Sequence, residues 1–287
     1  MASCKFALLP LALLAGLCSV FVKSLRWRRM LHGDMRRFPL RKSVGSYYSS
    51  VYLGLVTPGR LGELARIFYL KRDLGYSAAG AMASVILDRL YDLYALIVMG
   101  VFALFFFGFA RQLSVQLALG LAALMLFPVL LVHPRFGGWF FSFFVRRVLR
   151  RRLASLVEHD VDIFYEEMKR LLPVNVVWNV LMTSLASLFA FAGAVLMARS
   201  LGIETDAVEI ALLFSLCNLV SLLPITVAGA GTRDAVLVVG FASLGLARSQ
   251  AVAFSSLILS IYFVATGLVC FLFFLADRPA EKATTPP

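Results

Sequence analysis

Apolar residues run along this chain in long blocks separated by short polar stretches. A helix needs about 20 apolar residues to cross a bilayer core of about 30 Å. The blocks at about 6–22, 83–109, 113–132, 174–198 and 249–276 meet that length and predict five full spans. Two further blocks, about 44–70 and 206–245, are apolar but broken at their centres by proline and glycine. They predict helical hairpins whose two ends lie on one side of the membrane. The stretch 135–172 is mixed: it carries Arg146, Arg147, Arg150, Arg151 and Arg152, then acidic and apolar residues at helical spacing. It predicts an amphipathic helix on the cytoplasmic surface. Residues 277–287, with three prolines, form a short polar tail. The expected fold class is all-α: one integral membrane domain over 1–276, a polytopic transmembrane helix bundle with two re-entrant (broken) hairpins.

Composition agrees with that pattern. Hydrophobic residues make up 61% and charged residues 15%, against about 45–50% and 25% in soluble domains. No single globular core buries such an excess, which excludes an ordinary soluble enzyme, a disordered chain and a nucleic-acid-binding domain. The 28 Lys and Arg outnumber the 16 Asp and Glu. They concentrate between the apolar blocks, where they suit anionic lipid head groups. Eight of them lie in 23–42, and the arginine cluster lies in 135–172. The loops near 110–112 and 199–209 are poor in them, and the second carries Glu204, Asp206 and Glu209. With positive loops inside, the chain is expected to be multi-pass in the cell (inner, cytoplasmic) membrane, N-terminus out and C-terminus in. The first block, followed by a basic run, also resembles a signal peptide. Its leading region has only Lys5 and no Ala-x-Ala site follows, so a retained helix is expected. Cys4, Cys18, Cys217 and Cys270 form no CxxC, and His32, His133 and His159 are scattered. No metal, no cofactor and no catalytic residue is expected.

The two broken blocks share an order of features. In the first, apolar residues run into Thr57, Pro58 and Gly59, then Arg60, Gly62, Glu63 and Arg66. In the second, Pro224 is followed by Gly229, Gly231, Arg233 and Asp234. Proline disfavours helix before it and removes a donor, and glycine admits unusual backbone angles. Backbone freed inside lipid survives only against protein or a wet cavity. Two such hairpins entering from opposite sides suggest an inverted repeat around a midplane site. Helices beginning near Arg60 and Thr232 would present N–H groups and positive charge to an anion such as phosphate. The structural alternative is that Glu63 and Asp234 pair with these arginines and lock the hairpins. Asp88, Arg89 and Asp92 interrupt the block at 83–109. Asp88 and Asp92 share one helix face, where they would hold Arg60 or Arg66 or relay protons.

At these motifs the sequence resembles the lysylphosphatidylglycerol synthase transmembrane-region, or flippase-like, family. The resemblance rests on 25–31, on 57–66, on 86–93 and on 223–234, four short motifs in order. Asp234 stands where the family more usually has Glu. The resemblance implies an integral membrane protein that handles or translocates a lipid. It also implies a chain lacking the aminoacyl-transfer domain that some members carry, and one helix fewer at the start than is common among them. The leading expectation is a flippase or lipid transporter, not an enzyme. Its partners would be an anionic or lipid-linked substrate and, in an accessory role, a separate synthase, with no nucleic acid. The alternative is a membrane-embedded enzyme or accessory subunit of an aminoacyl-, glyco- or isoprenoid-lipid pathway. No Walker A motif is present.

Overall fold

The computed structural model describes residues 5–31, 36–108, 151–173, 175–221 and 231–276, with positions 126, 130, 136 and 139 besides. The expected span 113–132, the start of the amphipathic stretch, Pro224, Gly229 and the tail lie outside the described residues. Among the described residues the chain is all helical. Helix α1 is Leu8–Met30 and α2 is Leu40–Val56. A 3-10 helix, Pro58–Ala65, leads into α3, Arg66–Leu74. Helix α4 is Ala78–Phe106, α5 Arg151–Leu171 and α6 Val176–Ser200. Then come α7, Ala207–Val220, α8, Thr232–Ser243, and α9, Arg248–Ile258. A π-helical turn, Leu259–Ala265, joins α9 to α10, Thr266–Ala276.

Among the described residues, four helices are long and apolar enough to cross a membrane: Leu8–Met30, Ala78–Phe106, Val176–Ser200 and Arg248–Ala276. In each of them less than a third of the most apolar stretch is buried inside the protein. Phe6, Phe68, Val177, Leu188 and Leu272 are among the many large apolar side chains that face outward. Water would not tolerate so wide an apolar surface on a monomer, whereas lipid supplies its natural solvent.

The first helix corrects the sequence reading. Lys23, Arg26, Arg28 and Arg29, expected in a loop, continue α1 to Met30. Apolar periodicity ends at Val22, but nothing there breaks a helix, and the basic residues find partners along it. The helices at the expected spans 83–109, 174–198 and 249–276 differ from expectation by a few residues.

Contacts fix the direction of each helix. Lys5 donates its backbone N–H to Ser200 O at 3.0 Å, and Arg26 meets Thr183, so α1 and α6 are antiparallel. Helix α2 runs back beside α1: Arg28 donates to Phe38 O at 2.8 Å and Tyr48 to Leu17 O at 2.8 Å. At Thr57 the chain reverses. Thr57 Oγ1 donates to Leu53 O at 2.8 Å and accepts from Gly62 N at 2.7 Å, standing in for backbone bonds that Pro58 interrupts. A Cβ on Gly62 would sit 2.1 Å from Leu53 O. Only glycine lets the 3-10 segment lie so close on α2. Lys42 and Asp73 then meet at 3.2 Å, so both ends of this arm pair lie at the end where α1 finishes.

Helices α7 and α8 are also antiparallel, since Arg233 O faces Cys217 and Gly240 faces Leu213. Their outer ends join Phe107, Leu201, Ile203, Leu244 and Leu246 at the opposite end. The two arm pairs thus spring from opposite ends of the bundle.

One apolar core joins α1 and α6 through α9, and a second joins α1 through α4 around Trp27, Phe38, Tyr47 and Leu70. The described part of α5 is amphipathic as expected. Met168 and Leu171 are buried against Ala83 and Leu87 of α4 and Met30 of α1, while Glu166 and Lys169 face outward as an ion pair.

Candidate functional site

Where α1, the first arm pair, α4 and α6 converge, the interior is ionic. Asp88 of α4 is fully buried. It accepts hydrogen bonds from Arg26 Nε at 3.0 Å and Nη2 at 2.7 Å, from Arg66 Nη1 at 2.7 Å and from Tyr47 Oη at 3.1 Å. Arg26 reaches further, from Nη1 to Asp92 Oδ1 at 2.8 Å and to Thr183 Oγ1 at 2.6 Å. Lys23 donates to Asp92 Oδ2 at 2.9 Å. Glu63 pairs with Arg89 and lies 4.0 Å from Arg66. The Arg66 guanidinium stacks over Tyr47 and Trp27, with ring centroids 4.5 and 5.1 Å away. Charges within a membrane protein are costly unless paired or held at a wet site, and here most are paired.

The helical period explains the convergence. Gly16, Ser19, Lys23 and Arg26 recur at three- and four-residue spacing on α1, and Asp88 and Asp92 share a face of α4. The expected pairing of the acids with Arg66 occurs at Asp88. Arg60 pairs with neither acid. Sequence reasoning missed Lys23, Arg26, Tyr47 and Thr183. The first two were legible had the helix been carried past Val22, because they continue the polar stripe of Ser19.

A cavity of about 190 Å³ opens beside this cluster, against about 10–15 Å³ needed to hold one water. Lys23, Arg60, Glu63, Arg89 and Asp92 form its charged wall, with Asn218 and Tyr262 opposite. Arg60 stands at φ 57°, a left-handed backbone that costs a non-glycine residue about 1–2 kcal/mol. Its guanidinium has no carboxylate partner among the described residues. Arg89 Nε is buried without a hydrogen-bond partner. The helix start expected near Arg60 is corrected. The segment is 3-10 from Pro58, the α-helix begins at Arg66, and Thr57 takes the Gly62 N–H.

The second broken block is arranged differently. Asp234 Oδ2 accepts from Gly231 N at 3.0 Å and caps α8, and Ser255 Oγ donates to Asp234 Oδ1. Arg233 is buried, donates to Ser255 Oγ at 3.1 Å and lies 3.8 Å from Asp234. Arg233 and Asp234 are not in the cavity wall. Arg233 stacks 5.9 Å from the ring of Phe263, which is. The structure therefore gathers Arg60, Glu63, Arg89 and Asp92 around the cavity, puts Arg66 and Asp88 behind them, and leaves Arg233 and Asp234 one aromatic ring away.

A second, apolar groove of about 1040 Å³ runs between α4, α6 and α7. It shares Ala95, Met99, Ser187 and Phe191 with the charged cavity. Among the described residues, no group of three His, Cys, Asp or Glu side chains is placed to hold a metal ion.

An apolar exterior, spans of membrane length and a charged interior cavity define a multi-pass helical membrane protein. The chain belongs to the Lysylphosphatidylglycerol synthase TM region family, whose model matches residues 1–270. That places it among membrane proteins of lipid modification or transport. No curated protein and no solved structure matches the chain.

Proposed function

We propose that this protein is a lipid flippase or transporter that binds an anionic or lipid-linked head group in the charged cavity while the acyl chains lie in the adjoining groove. The observation that carries this reading is the continuity of the two spaces. A wall holding Lys23, Arg60 and Arg89 passes, through shared lining residues, into a groove bounded by Val98, Phe102, Leu188 and Val195. A phospholipid has that division of polar and apolar parts. In this reading the chain moves lipid and does not transform it.

The arm pairs support the transport half of the proposal. Helices α2 and α7 have 17 and 14 residues, about 25 and 21 Å at 1.5 Å per residue. Both fall short of a hydrocarbon core of about 30 Å, which supports the reading of two arms that enter the membrane from opposite sides without crossing it. Such arms would suit an inverted repeat, in which one half rocks against the other. Arg28, Arg36, Arg41, Lys71 and Arg72 lie towards the end where α1 finishes, which supports the reading that this end faces the cytoplasm of a cell membrane. The N-terminus is then outside and the C-terminus inside. The charged outer face of α5 at the same end favours one companion role, the docking of a separate synthase beside the lipid's entrance.

The test is reconstitution. Vesicles containing the protein should expose a fluorescent anionic lipid to a membrane-impermeant quencher faster than empty vesicles do. Arg89→Gln should slow the exposure. Equal rates with and without protein would refute transport.

A further inference from the structure

The charge count of the site points to its cargo. Among the described residues, five cations stand around the cavity and directly behind it, Lys23, Arg26, Arg60, Arg66 and Arg89, against three carboxylates, Glu63, Asp88 and Asp92. The excess is two positive charges. Its distribution is also specific. Asp88 is spent on Arg26 and Arg66, and Asp92 on Arg26 and Lys23. Glu63 is spent on Arg89. Among the described residues Arg60 is left with no carboxylate, and Arg89 Nε and Arg66 Nη2 are buried beside Glu63 Oε2 with none of the three in a hydrogen bond. Arg60 is exposed along the cavity wall, and a cation within a membrane protein is costly when no counter-charge meets it. An arriving anion relieves that cost, a zwitterion relieves little of it, and a cation adds to it.

We infer that the cavity selects head groups bearing a dianionic phosphate over zwitterionic and cationic ones, with Arg60 and Arg89 as the selecting residues. This rests on the lipid-binding reading above and narrows it. A phosphate monoester carries about −1.5 to −2 charges at pH 7, which matches the excess. Guanidinium groups bind phosphate oxygens in a bidentate fork. An aminoacylated lipid, whose amines are cationic, would bring positive charge to a site already in surplus.

The experiment is calorimetric titration of the purified full-length protein in neutral detergent at pH 8 with four short-chain lipids: phosphatidate, phosphatidylglycerol, phosphatidylcholine and lysyl-phosphatidylglycerol. Glycerol 3-phosphate is the soluble control. Phosphatidate should bind about tenfold tighter than phosphatidylglycerol, the effect of one further charge-assisted hydrogen bond. Phosphatidylcholine and the lysylated lipid should bind more weakly still. Arg60→Gln should bring phosphatidate down to the level of phosphatidylglycerol, and Arg60→Lys should restore part of the preference. Among the described residues Arg60 makes no ion pair, so these variants leave the buried ion pairs of Asp88 and Asp92 in place. If the lysylated or choline lipid binds as well as phosphatidate, or Arg60→Gln leaves the order unchanged, the charge selection is overturned while lipid binding stands. If glycerol 3-phosphate binds as tightly as phosphatidate, the dianion preference holds and the lipid reading falls. If none of the five binds, both fall.

Discussion

Asp88→Asn separates the structural part of the ionic cluster from its binding part. The substitution keeps shape and removes one negative charge between two fully buried guanidinium groups, Arg26 and Arg66. It also turns one acceptor into an NH2 group facing donors, since the carboxylate takes four side-chain hydrogen bonds. Removing one partner of a buried ion pair costs about 3–5 kcal/mol. For a chain of this size that lowers the melting temperature by about 6–20 °C. Trp27, fully buried and stacked by Arg66, reports the loss through its fluorescence on heating in detergent. Asp92→Asn is the internal comparison. Its side chain is 11% exposed and that of its partner Lys23 28%, so water can repair the defect. The cost there should be about 1–2 kcal/mol, with lipid movement lost more than stability. A melting temperature for Asp88→Asn within about 2 °C of wild type would refute the claim that this carboxylate holds the bundle together.

Other outcomes follow from single contacts. Gly62→Ala puts a methyl against Leu53 O, a backbone atom that cannot yield. The arm pair should open, lowering stability by about 2–4 kcal/mol in chemical denaturation and abolishing lipid movement in vesicles. Gly193→Val should do similar harm on α6, where an added Cβ would lie 3.2 Å from Ala12 O and meet the Tyr262 hydroxyl. Met168→Glu on α5 buries a charge against Ala83 and Leu87. It should release α5, read as faster proteolysis between 151 and 171, while leaving α1–α4 protected. Asp73 is held below its ordinary value of 3.8: burial alone would raise it, but hydrogen bonds from Arg72 and Lys42 outweigh burial. A carboxyl so depressed stabilises the fold above that pH, and its contribution is lost as pH falls through the lower folded value. Asp73→Asn should therefore be less stable than wild type at pH 7, by up to about 1 kcal/mol, and the two should converge in acid.

Much of the fold was legible in the apolar blocks, because a length near 20 residues is set by bilayer thickness and not by neighbours. The spans at 83–109, 174–198 and 249–276 lie within a few residues of observed helices. The reversal at Thr57 was legible too, because Pro58 and Gly59 act on local backbone. What replaced the broken backbone bonds was not. A 3-10 run of eight residues is longer than such helices usually persist. It depends on a tertiary contact, Gly62 on Leu53, and on a threonine hydroxyl answering a glycine N–H. The π-turn at Leu259–Ala265 was equally hidden, since nothing in its apolar sequence distinguishes it from α-helix.

The site divides along the same line. Asp88, Arg89 and Asp92 announced themselves as charges inside an apolar block, and Arg60, Glu63 and Arg66 as charges beside a break. Lys23 and Arg26 did not, because a cluster of basic residues at the end of a span reads as a cytoplasmic anchor. Arg28 and Arg29 stay outside the interior cluster: Arg28 binds the Phe38 carbonyl and Arg29 lies over Trp178, 4.8 Å from its ring. Lys23 and Arg26 turn away from Arg28 by helical phase and complete the interior cluster, and Arg29 continues their side of α1 one turn further on. The same short segment thus ties α1 to Phe38 through Arg28 and neutralises the acids of α4 through Lys23 and Arg26. Because α1 supplies two cations to those acids, Arg60 is left without a carboxylate. The positive surplus that would draw in an anionic head group is therefore a consequence of how α1 is rotated, as much as of the arm pair that carries Arg60.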